Sequence, residues 1–299
     1  MIDVAIVGAG PAGLTAAVYM RRFHRSCLVF DSGESRARWI PESNNCPGFP
    51  GGVAGTELLQ RLRRQAGDAG VPFEQLRVDR IAAAGGDAGG FAVHAGERSW
   101  HARMVMIATG VRDRLPATWA EQALACGALR LCPICDAFEA SDRHIGVFGH
   151  SSDIGAHARF LRTFSVRVSA LPYDGGDGGA EGEAARAAGV RWLGAGELEF
   201  DGRRCRYRSG ADAIEPDTVY SFLGFTTTVP TDGLALTRTG GGEIVVDRHQ
   251  QTDTPGLYAI GDIVGGLNQI AVAVGQAAAA AAHAHAQLPA APRGRGSGA

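Results

Sequence analysis

The apolar positions near the start of the chain form two short runs, separated by a glycine-rich turn and a helix-length segment. The first run, over 3–7, is rich in β-branched residues and predicts a buried parallel strand. A helix over about 11–22 follows, because proline is well tolerated in a first helical turn and two arginines suit the negative C-terminal end. The second run, over 27–30, predicts another strand and ends at Asp31. The pattern therefore predicts a βαβ unit at the N-terminus.

Apolar runs later in the chain predict more strands, and a second βαβ unit begins near residue 144. An alanine-rich helix is predicted from about residue 268. Strands that alternate with helices indicate an α/β fold with parallel sheets. The further predicted strands are 78–82 and 91–94, joined by a glycine-rich hairpin loop over 85–90, then 104–107, 144–149 and 165–171.

The composition is that of a globular protein of one large or two ordinary domains. Of the 299 residues, 45% are hydrophobic and 20% are charged. A net charge of −2 gives no reason to expect nucleic acid or an anionic membrane as a partner. All 29 basic residues are arginine. Without lysine, a Schiff base, a pyridoxal phosphate linkage and a P-loop are excluded.

Targeting signals and cysteine usage indicate a cytoplasmic protein. The N-terminus lacks the basic start and long apolar run of a signal peptide. The most apolar late stretch, 270–286, is interrupted by Gly275 and Gln276 and is a poor membrane span. Six cysteines in 299 residues do not reach the density of a secreted scaffold. Four of them are interpreted as reduced apolar fillers: Cys27, Cys46, Cys126 and Cys205.

The turn after the first strand has the Gly-x-Gly-x-x-Gly spacing, with Gly8, Gly10 and Gly13. Glycines at these positions let the backbone close on a pyrophosphate, and the following helix N-terminus supplies N–H donors. Asp31, at the end of the second strand, can bind ribose hydroxyls. Strand, turn, helix, strand and acid together predict a dinucleotide-binding unit.

A Cys-x-x-Cys pair, Cys132 and Cys135, is followed directly by Asp136. Half of a zinc site is one interpretation, but no second pair follows at zinc-finger spacing. Two unrelated buried thiols are another. The dinucleotide-binding unit favours a redox-active dithiol, and no metal is expected.

The second glycine-rich turn departs from the nucleotide-binding pattern. Ser151 and Ile154 stand where closely packed glycine or alanine is wanted, and Gly155 falls one place too late to restore the spacing. The loop over 174–179 is acidic and contains no arginine for a 2′-phosphate. Residual NADH binding remains an alternative, with Asp174 holding the ribose 2′-hydroxyl.

Five segments between residues 2 and about 288 form one ordered set. They are Gly8-Ala9-Gly10-Pro11-Ala12-Gly13, Asn45-Cys46-Pro47-Gly48-Phe49-Pro50, Ala108-Thr109-Gly110, Cys132-Pro133-Ile134-Cys135-Asp136, and Gly261-Asp262 with Asn268-Gln269-Ile270-Ala271. The set resembles the low-molecular-weight thioredoxin reductase family of FAD-dependent pyridine nucleotide–disulfide oxidoreductases.

This resemblance implies an α/β fold with two Rossmann-like (three-layer ββα) nucleotide-binding domains and a homodimer. The FAD-binding domain would be discontinuous, formed by 1–114 and 243–288. A degenerate NAD(P)H-type domain over 115–242 would carry the dithiol. The tail over 289–299, rich in proline, glycine and arginine, is predicted to be disordered.

The resemblance also implies FAD as cofactor and roles for individual residues. A substrate thiolate would attack Cys132 in the Cys132–Cys135 disulfide, Cys135 would lie nearer the flavin, and Asp136 would shuttle protons. A helix N-terminal cap remains an alternative role for Asp136. The implied FAD-binding residues are Gly8, Gly10, Pro11, Ala12, Gly13, Asp31, Asn45, Ala108, Thr109, Gly110, Gly261, Asp262, Asn268, Gln269 and Ile270.

The altered second turn favours a branch of this family that lacks the NADPH motifs and oxidises small dithiols. We therefore expect an oxidoreductase that exchanges electrons between a dithiol or disulfide and FAD without NADPH. Its partner would be a small dithiol or disulfide, or a thioredoxin-like protein, with oxygen or another acceptor completing the cycle. The alternatives are an NADPH- or NADH-dependent thioredoxin reductase and a redox-sensing flavoprotein.

Overall fold

The computed structural model describes residues 1–85 and 89–290. The middle of the predicted hairpin loop and the predicted tail from 291 onward lie outside the described residues. The chain forms two compact units. The first comprises 1–37, 58–111 and the chain from 227 onward, and the second comprises 38–57 and 112–226.

Strands and helices alternate along much of the described chain. The strands are β1 (Ile2–Val7), β2 (Cys27–Asp31), β3 (Phe73–Gln75), β4 (Arg80–Ala83), β5 (Phe91–Ala95), β6 (Arg98–Ile107), β7 (Val111–Asp113), β8 (Leu129–Arg130), β9 (Ile145–Gly149), β10 (Val168–Pro172), β11 (Arg191–Trp192), β12 (Glu197–Phe200), β13 (Cys205–Ser209), β14 (Asp212–Ile214), β15 (Thr218–Phe222), β16 (Phe225–Thr227) and β17 (Leu257–Ala259). The α-helices are α1 (Pro11–Arg22), α2 (Gly55–Asp68), α3 (Ala120–Ala125), α4 (Pro133–Asp136), α5 (Ser151–Leu161), α6 (Gly179–Ala187) and α7 (Ile270–Gln287). Short 3₁₀ helices lie at Arg36–Trp39, Phe138–Ala140 and Gly261–Ile263.

The first unit is built on a sheet in which β6 has two different neighbours on one side. Strands β3, β2, β1 and β6 are parallel neighbours in that order. The first half of β6 pairs with β5 in an antiparallel hairpin arrangement, and its last residues pair in parallel with β17. Strand β4 completes the antiparallel part beside β5. The carboxyl ends of β1, β2, β6 and β17 therefore meet along one edge of the sheet.

Hydrophobic cores lie on both faces of this sheet. Helices α1 and α7 supply Leu14, Met20 and Ala277 to one core, which packs on the side chains of β1 and β6. The other face is covered by the antiparallel strands and the late segment, with Ile81 and Ile244 fully buried. A sheet buried on both faces explains why β1 is apolar throughout its second half.

The second unit contains a five-stranded parallel sheet in the order β11, β10, β9, β15, β8. Helices α5 and α6 follow β9 and β10, and Ile154 and Ala158 from α5 and Ala185 from α6 join a buried core with this sheet. A three-stranded antiparallel sheet, β12, β13 and β14, belongs to the same unit. Both units carry Rossmann-like parallel sheets, and the predicted fold class is confirmed.

The observed division of the chain differs from the boundaries expected at 114 and 243. The segment 38–57 groups with the second unit, because Trp39 packs against the core that contains Leu129 and Tyr207. The segment 227–242 groups with the first unit, where its apolar side chains pack on the antiparallel face. The assignment of the two units to FAD and to a degenerate nucleotide stays a prediction.

Gly155, which does not fit the second nucleotide-binding turn, lies where α5 packs closely on α6. A Cβ atom on Gly155 would meet the backbone carbonyl carbon of Glu181 at 2.7 Å. We expect Gly155→Ala to lower the melting temperature, because overpacking costs about 1–3 kcal/mol and outweighs a helix-propensity gain of up to about 1 kcal/mol. The matched control is Gly275→Ala in α7, where no atom lies within 4 Å of the added Cβ and the melting temperature should rise. Thermal unfolding by circular dichroism measures both, and a rise for Gly155→Ala would contradict this packing.

Within residues 1–85 and 89–290, no helix is long and apolar enough to cross a membrane. Among the same described residues, no group of three or more His, Cys, Asp or Glu side chains is placed to hold a metal ion.

Candidate functional site

The glycine-rich turn after β1 is shaped by close backbone contacts. Gly8 has a φ of +117°, and a Cβ there would lie 2.2 Å from the carbonyl oxygen of Ala108. A Cβ on Gly13 would lie 1.9 Å from the carbonyl oxygen of Gly8. These two glycines therefore let α1 and the residue after β6 approach the end of β1, as the fingerprint predicts.

Gly10 differs from the other two glycines because an added Cβ there would meet no backbone atom closely. The nearest atom to an added Cβ is the Ser35 Oγ, at 3.4 Å. Gly10 caps α1 without a side-chain hydrogen bond, and the first turn of this twelve-residue helix has no acidic residue. Backbone N–H groups at such a helix start suit a phosphate, so this turn fits the pyrophosphate of a dinucleotide.

Most of the residues predicted to hold FAD lie at the carboxyl ends of four neighbouring strands, β1, β2, β6 and β17. Ala108, Thr109 and Gly110 follow β6, and the Thr109 hydroxyl donates to the Thr228 carbonyl at 2.8 Å. Gly261 follows β17, with a φ of +76°, and its N–H donates to the Gln276 Oε1 at 2.7 Å. In open α/β sheets, ligands bind outside this edge.

The start of α7 completes this group of residues in the first unit. Gln269 caps the helix with extended backbone, Ile270 is the first helical residue, and Asn268 lies in the preceding turn. A Cβ on Gly261 would come within 3.0 Å of the Ala12 side chain, so the late segment lies beside the first turn of α1. The structure thus brings the N-terminal and late motifs together.

Asp31 and Asp262, the two carboxylates predicted to bind FAD, each form an ion pair with an arginine that belongs to no motif. Asp31 accepts from the Gly33 N–H at 2.8 Å and forms an ion pair with Arg63. Asp262 forms an ion pair with Arg36 at 3.0 Å. Sequence reasoning missed both arginines, since Arg36 and Asp262 are 226 positions apart and no spacing rule connects them.

Asn45, predicted to bind FAD, belongs to the second unit. Its side-chain amide donates to the carbonyl of Ile134 at 3.4 Å, and its Oδ1 accepts from the Ser43 hydroxyl at 3.2 Å. Asn45 therefore supports the backbone between the two cysteines of the dithiol. Its role in FAD binding stays a prediction.

Cys132 and Cys135 form a disulfide, with their Cα atoms 5.3 Å apart. Cys132 has extended backbone and caps the one-turn helix α4, which begins at Pro133 and contains Cys135. The Cys135 N–H donates to the Cys132 carbonyl at 3.0 Å, which closes the turn. The two sulfurs are thus held at the spacing that the motif predicts.

Asp136 ends this turn, and its carboxylate lies beside the hydroxyl of Tyr220 and the guanidinium group of Arg130. The Tyr220 hydroxyl donates to the Asp136 Oδ1 at 2.7 Å, and the Arg130 Nη1 lies 3.2 Å from Oδ2. Burial raises the pKa of Asp136 above its ordinary value, and Arg130 and Tyr220 lower it only in part. Tyr220 and Arg130 are functional candidates that sequence reasoning missed.

The second glycine-rich turn is closed by an internal carboxylate. Asp174 accepts from the backbone N–H of Ser151 at 2.8 Å and from its hydroxyl at 2.7 Å, and the His150 Nε2 lies 3.5 Å away. Burial raises the pKa of Asp174, but the Ser151 hydrogen bonds outweigh it and hold the pKa below its ordinary value. Asp174 therefore places a negative charge at the start of α5.

The loop after Asp174 folds onto the same turn. A Cβ on Gly176 would lie 2.2 Å from the Ser151 hydroxyl. The indole N–H of Trp192 donates to the Gly176 carbonyl at 3.0 Å, which fixes the loop. The helix start that holds a phosphate in a nucleotide-binding turn is therefore covered by this chain's own residues.

The four remaining cysteines are not alike. Cys27, Cys46 and Cys205 are buried, and burial raises the pKa of Cys27 to about 11 and that of Cys205 to about 12. Cys126 is exposed, so its interpretation as an apolar filler is wrong. The six-residue helix α3 ends at Ala125 and leaves Cys126 at the surface.

A sequence profile of the pyridine nucleotide-disulphide oxidoreductase family matches residues 2–156 and 179–277. A thioredoxin reductase of Mycolicibacterium smegmatis is 33% identical over 172 residues, which are 56% of this chain and 54% of that relative. The match thus spans about half the length of that relative. A thioredoxin reductase of Listeria monocytogenes is 26% identical over 302 residues, covering 91% of this chain and 89% of the relative.

Solved structures resemble the chain over nearly its whole length. The crystal structure of HlmI has a TM-score of 0.86 and 28% identity, and the match covers 96% of this chain and 92% of that chain. The crystal structure of an oxidoreductase from Agrobacterium tumefaciens has a TM-score of 0.81 and 28% identity, with 95% and 97% covered.

Proposed function

The chain belongs to the pyridine nucleotide-disulphide oxidoreductase family, and we propose that it exchanges electrons between a dithiol and FAD without NADPH or NADH. It is a thioredoxin reductase-like flavoprotein that acts on sulfur groups. The observation that carries the proposal is the contrast between the two glycine-rich turns. The first turn leaves the N-terminus of α1 uncovered beside Gly10. In the second turn, Asp174 covers the N-terminus of α5.

FAD fits the carboxyl edge of the sheet in the first unit. The α1 N-terminus and Gly10 would hold the pyrophosphate. Asp31 would bind the adenosine ribose, and Asp262 the ribityl chain, each with its arginine partner holding the carboxylate. Bound FAD supplies a group that takes up or gives back two electrons. The thiol–disulfide exchange and the proton transfers take place on residues of the chain itself.

The exchange step balances at the sulfur atoms of Cys132 and Cys135. A substrate thiolate attacks the Cys132 Sγ, the disulfide breaks, and Cys135 leaves as a thiolate. The second substrate thiol then attacks the mixed disulfide and releases Cys132. The substrate is oxidised by two electrons, and the Cys132–Cys135 disulfide is reduced by two. The enzyme dithiol gives up two electrons and two protons when the Cys132–Cys135 disulfide re-forms, and bound FAD would supply the group that accepts the electrons before oxygen or another acceptor.

Asp136 is the proton carrier of this exchange. A substrate thiol loses a proton when it becomes a thiolate. A released cysteine thiolate takes up a proton when it becomes a thiol. The Asp136 carboxyl is partly buried beside the dithiol turn, and this burial raises its pKa. A raised pKa brings the carboxyl closer to the pH at which it can take up and return protons.

The surface around the dithiol favours a substrate or partner with an apolar part. Ile134, between the two cysteines, and Phe138, two residues after Asp136, have 53% and 78% of their surface exposed. We infer that the partner is a small apolar dithiol or disulfide, or a thioredoxin-like protein. A cytoplasmic location and a homodimer belong to the same proposal.

Gly10→Asp tests the FAD site, because the atom nearest to its added Cβ is the Ser35 Oγ, at an ordinary contact distance of 3.4 Å, and the fold should stay intact. A carboxylate facing the pyrophosphate costs several kcal/mol, so FAD affinity should fall by at least about 10²-fold. The measurement is the flavin-to-protein ratio and the FAD dissociation constant, by absorbance and fluorescence. Gly67→Asp on α2, where no atom lies within 4 Å of the added Cβ, is the matched control and should retain FAD. A full complement of FAD in Gly10→Asp would exclude this turn as the site.

A further inference from the structure

Two side chains from neighbouring strands meet on the carboxylate of Asp136. Tyr220 in β15 and Arg130 in β8 are directly opposite each other in the parallel register of the sheet. Tyr220 donates to one carboxylate oxygen at 2.7 Å, and Arg130 lies 3.2 Å from the other. The two contacts come from opposite oxygens, so the carboxylate is held in one orientation.

Arg130 also connects the dithiol turn to the sheet. Its Nη1 donates to the backbone carbonyl of Asp136 at 2.8 Å, at the end of α4. Only Leu131 separates Arg130 from Cys132, so the backbone of Arg130 leads into the turn whose end its side chain binds.

Tyr220 is completely buried, and its hydroxyl has no solvent to replace a lost partner. Burying a phenol is unfavourable unless its hydroxyl is hydrogen-bonded, and here the acceptor is Asp136. Phenylalanine would fill the same volume without that bond. Tyrosine, unlike phenylalanine, places a hydroxyl against the Asp136 carboxylate, so we assign the effect of this hydroxyl to that carboxylate.

We propose that Tyr220 and Arg130 are positioning residues that orient Asp136 and set the pH range in which it exchanges protons with the Cys132–Cys135 pair. The inference rests on the proposed function, in which Asp136 is the proton carrier. Neither residue touches substrate in this account. Each acts through the carboxylate that it holds.

The charged and titratable groups that face Asp136 are Arg130, Tyr220 and Glu139. Burial of the carboxyl has the largest effect and raises its pKa, Arg130 and the Tyr220 hydrogen bond lower it, and Glu139 raises it. Burial likewise raises the pKa of Tyr220, so the phenol remains a donor at neutral pH. Removing the phenol hydroxyl takes away a group that stabilises the carboxylate, so the pKa of Asp136 should rise further.

Tyr220→Phe tests the inference against Tyr207→Phe, a matched control in the same unit. Tyr207 is also fully buried, and its hydroxyl donates to the carbonyls of Pro172 at 2.7 Å and Gly194 at 2.6 Å. Both substitutions remove one buried hydroxyl. Only Tyr220→Phe removes a contact to Asp136.

The assay follows the cysteines of the full-length flavoprotein rather than the flavin. Anaerobic protein is mixed with dithiothreitol over a range of pH, quenched with N-ethylmaleimide, and the alkylated fractions of Cys132 and Cys135 are measured by mass spectrometry. The pH dependence of the reduction rate that is lost in Asp136→Asn is assigned to the titration of Asp136. In Tyr220→Phe its midpoint should move to higher pH. The maximal rate should fall roughly 2- to 10-fold, because the carboxylate loses the hydrogen bond that orients it. In Tyr207→Phe the midpoint and the rate should both match those of the wild type.

The outcomes separate this inference from the proposed function. If Asp136→Asn removes part of the profile but Tyr220→Phe and Tyr207→Phe give identical midpoints, the positioning role is overturned. If Asp136→Asn has the wild-type profile, or dithiothreitol does not reduce the pair in wild type, the proposed function itself fails. Arg130→Met adds a second test, in which loss of the cation should also move the midpoint to higher pH.

Discussion

Serine at Cys132 or at Cys135 is expected to abolish turnover of a small dithiol. A serine hydroxyl cannot form a disulfide and is not a thiolate at neutral pH, so the covalent exchange has no route. We expect turnover to fall on the order of 10³-fold or more, as when a nucleophile is removed from a covalent mechanism. FAD should stay bound, because the predicted FAD residues other than Asn45 belong to the first unit and the disulfide to the second. The measurement is dithiol-dependent oxygen uptake, together with the flavin absorbance of the purified variants.

The control for the cysteine variants is Cys126→Ser. Cys126 is exposed and lies in the same unit as the dithiol, but it takes no part in the disulfide. Its replacement should leave turnover close to that of wild type. Full activity in Cys135→Ser, or a zinc ion bound between the Cys132 and Cys135 sulfurs, would end the dithiol proposal.

NADPH and NADH are expected to bind weakly and to leave the flavin oxidised. For NADPH, an arginine contact to the 2′-phosphate contributes on the order of 1.5–3 kcal/mol, so the loss of two such contacts weakens binding by roughly 10²- to 10⁴-fold. No arginine lies within 174–179, and the side chain of Arg186 donates to the Asp177 carbonyl at 2.9 Å and stacks over Trp192. The structure gives this prediction an additional basis, since the Asp174 carboxylate would repel a phosphate at the start of α5.

Equilibrium titration separates weak binding from slow electron transfer. Each nucleotide is added anaerobically to the flavoprotein, and binding is followed by tryptophan fluorescence or calorimetry. Dissociation constants in the millimolar range would agree with the covered turn. Micromolar binding would show that Asp174 moves away from Ser151 when a nucleotide arrives, and the proposed exclusion would fail.

Elements set by local sequence were the easiest to predict. The helix over 11–22 was found at Pro11–Arg22, because its proline start and its arginine end both lie within the element. The division of the chain was harder, because it depends on distant contacts. Trp39 packs with residues more than 80 positions further along the chain, so 38–57 groups with the second unit, which local patterns do not reveal.

The candidate site shows the same limit. The spacing of Cys132 and Cys135 predicted their pairing, and the structure contains that disulfide. Tyr220 lies 84 positions from Asp136, and no motif links the two residues. Asp174 was considered as a ligand for a ribose hydroxyl, but its carboxylate is bound by Ser151 at the start of α5. Long-range side-chain partners of this kind depend on strand order and register, which the sequence pattern alone did not provide.

The most direct test of the account is a comparison of electron donors. Purified flavoprotein is mixed anaerobically, in separate experiments, with micromolar NADPH, micromolar NADH and a small dithiol, and the flavin absorbance is followed in a stopped-flow instrument. The account predicts bleaching by the dithiol, loss of that bleaching in Cys132→Ser, and no rapid bleaching by either nucleotide. Rapid bleaching by micromolar NADPH would contradict it and identify an ordinary NADPH-dependent thioredoxin reductase.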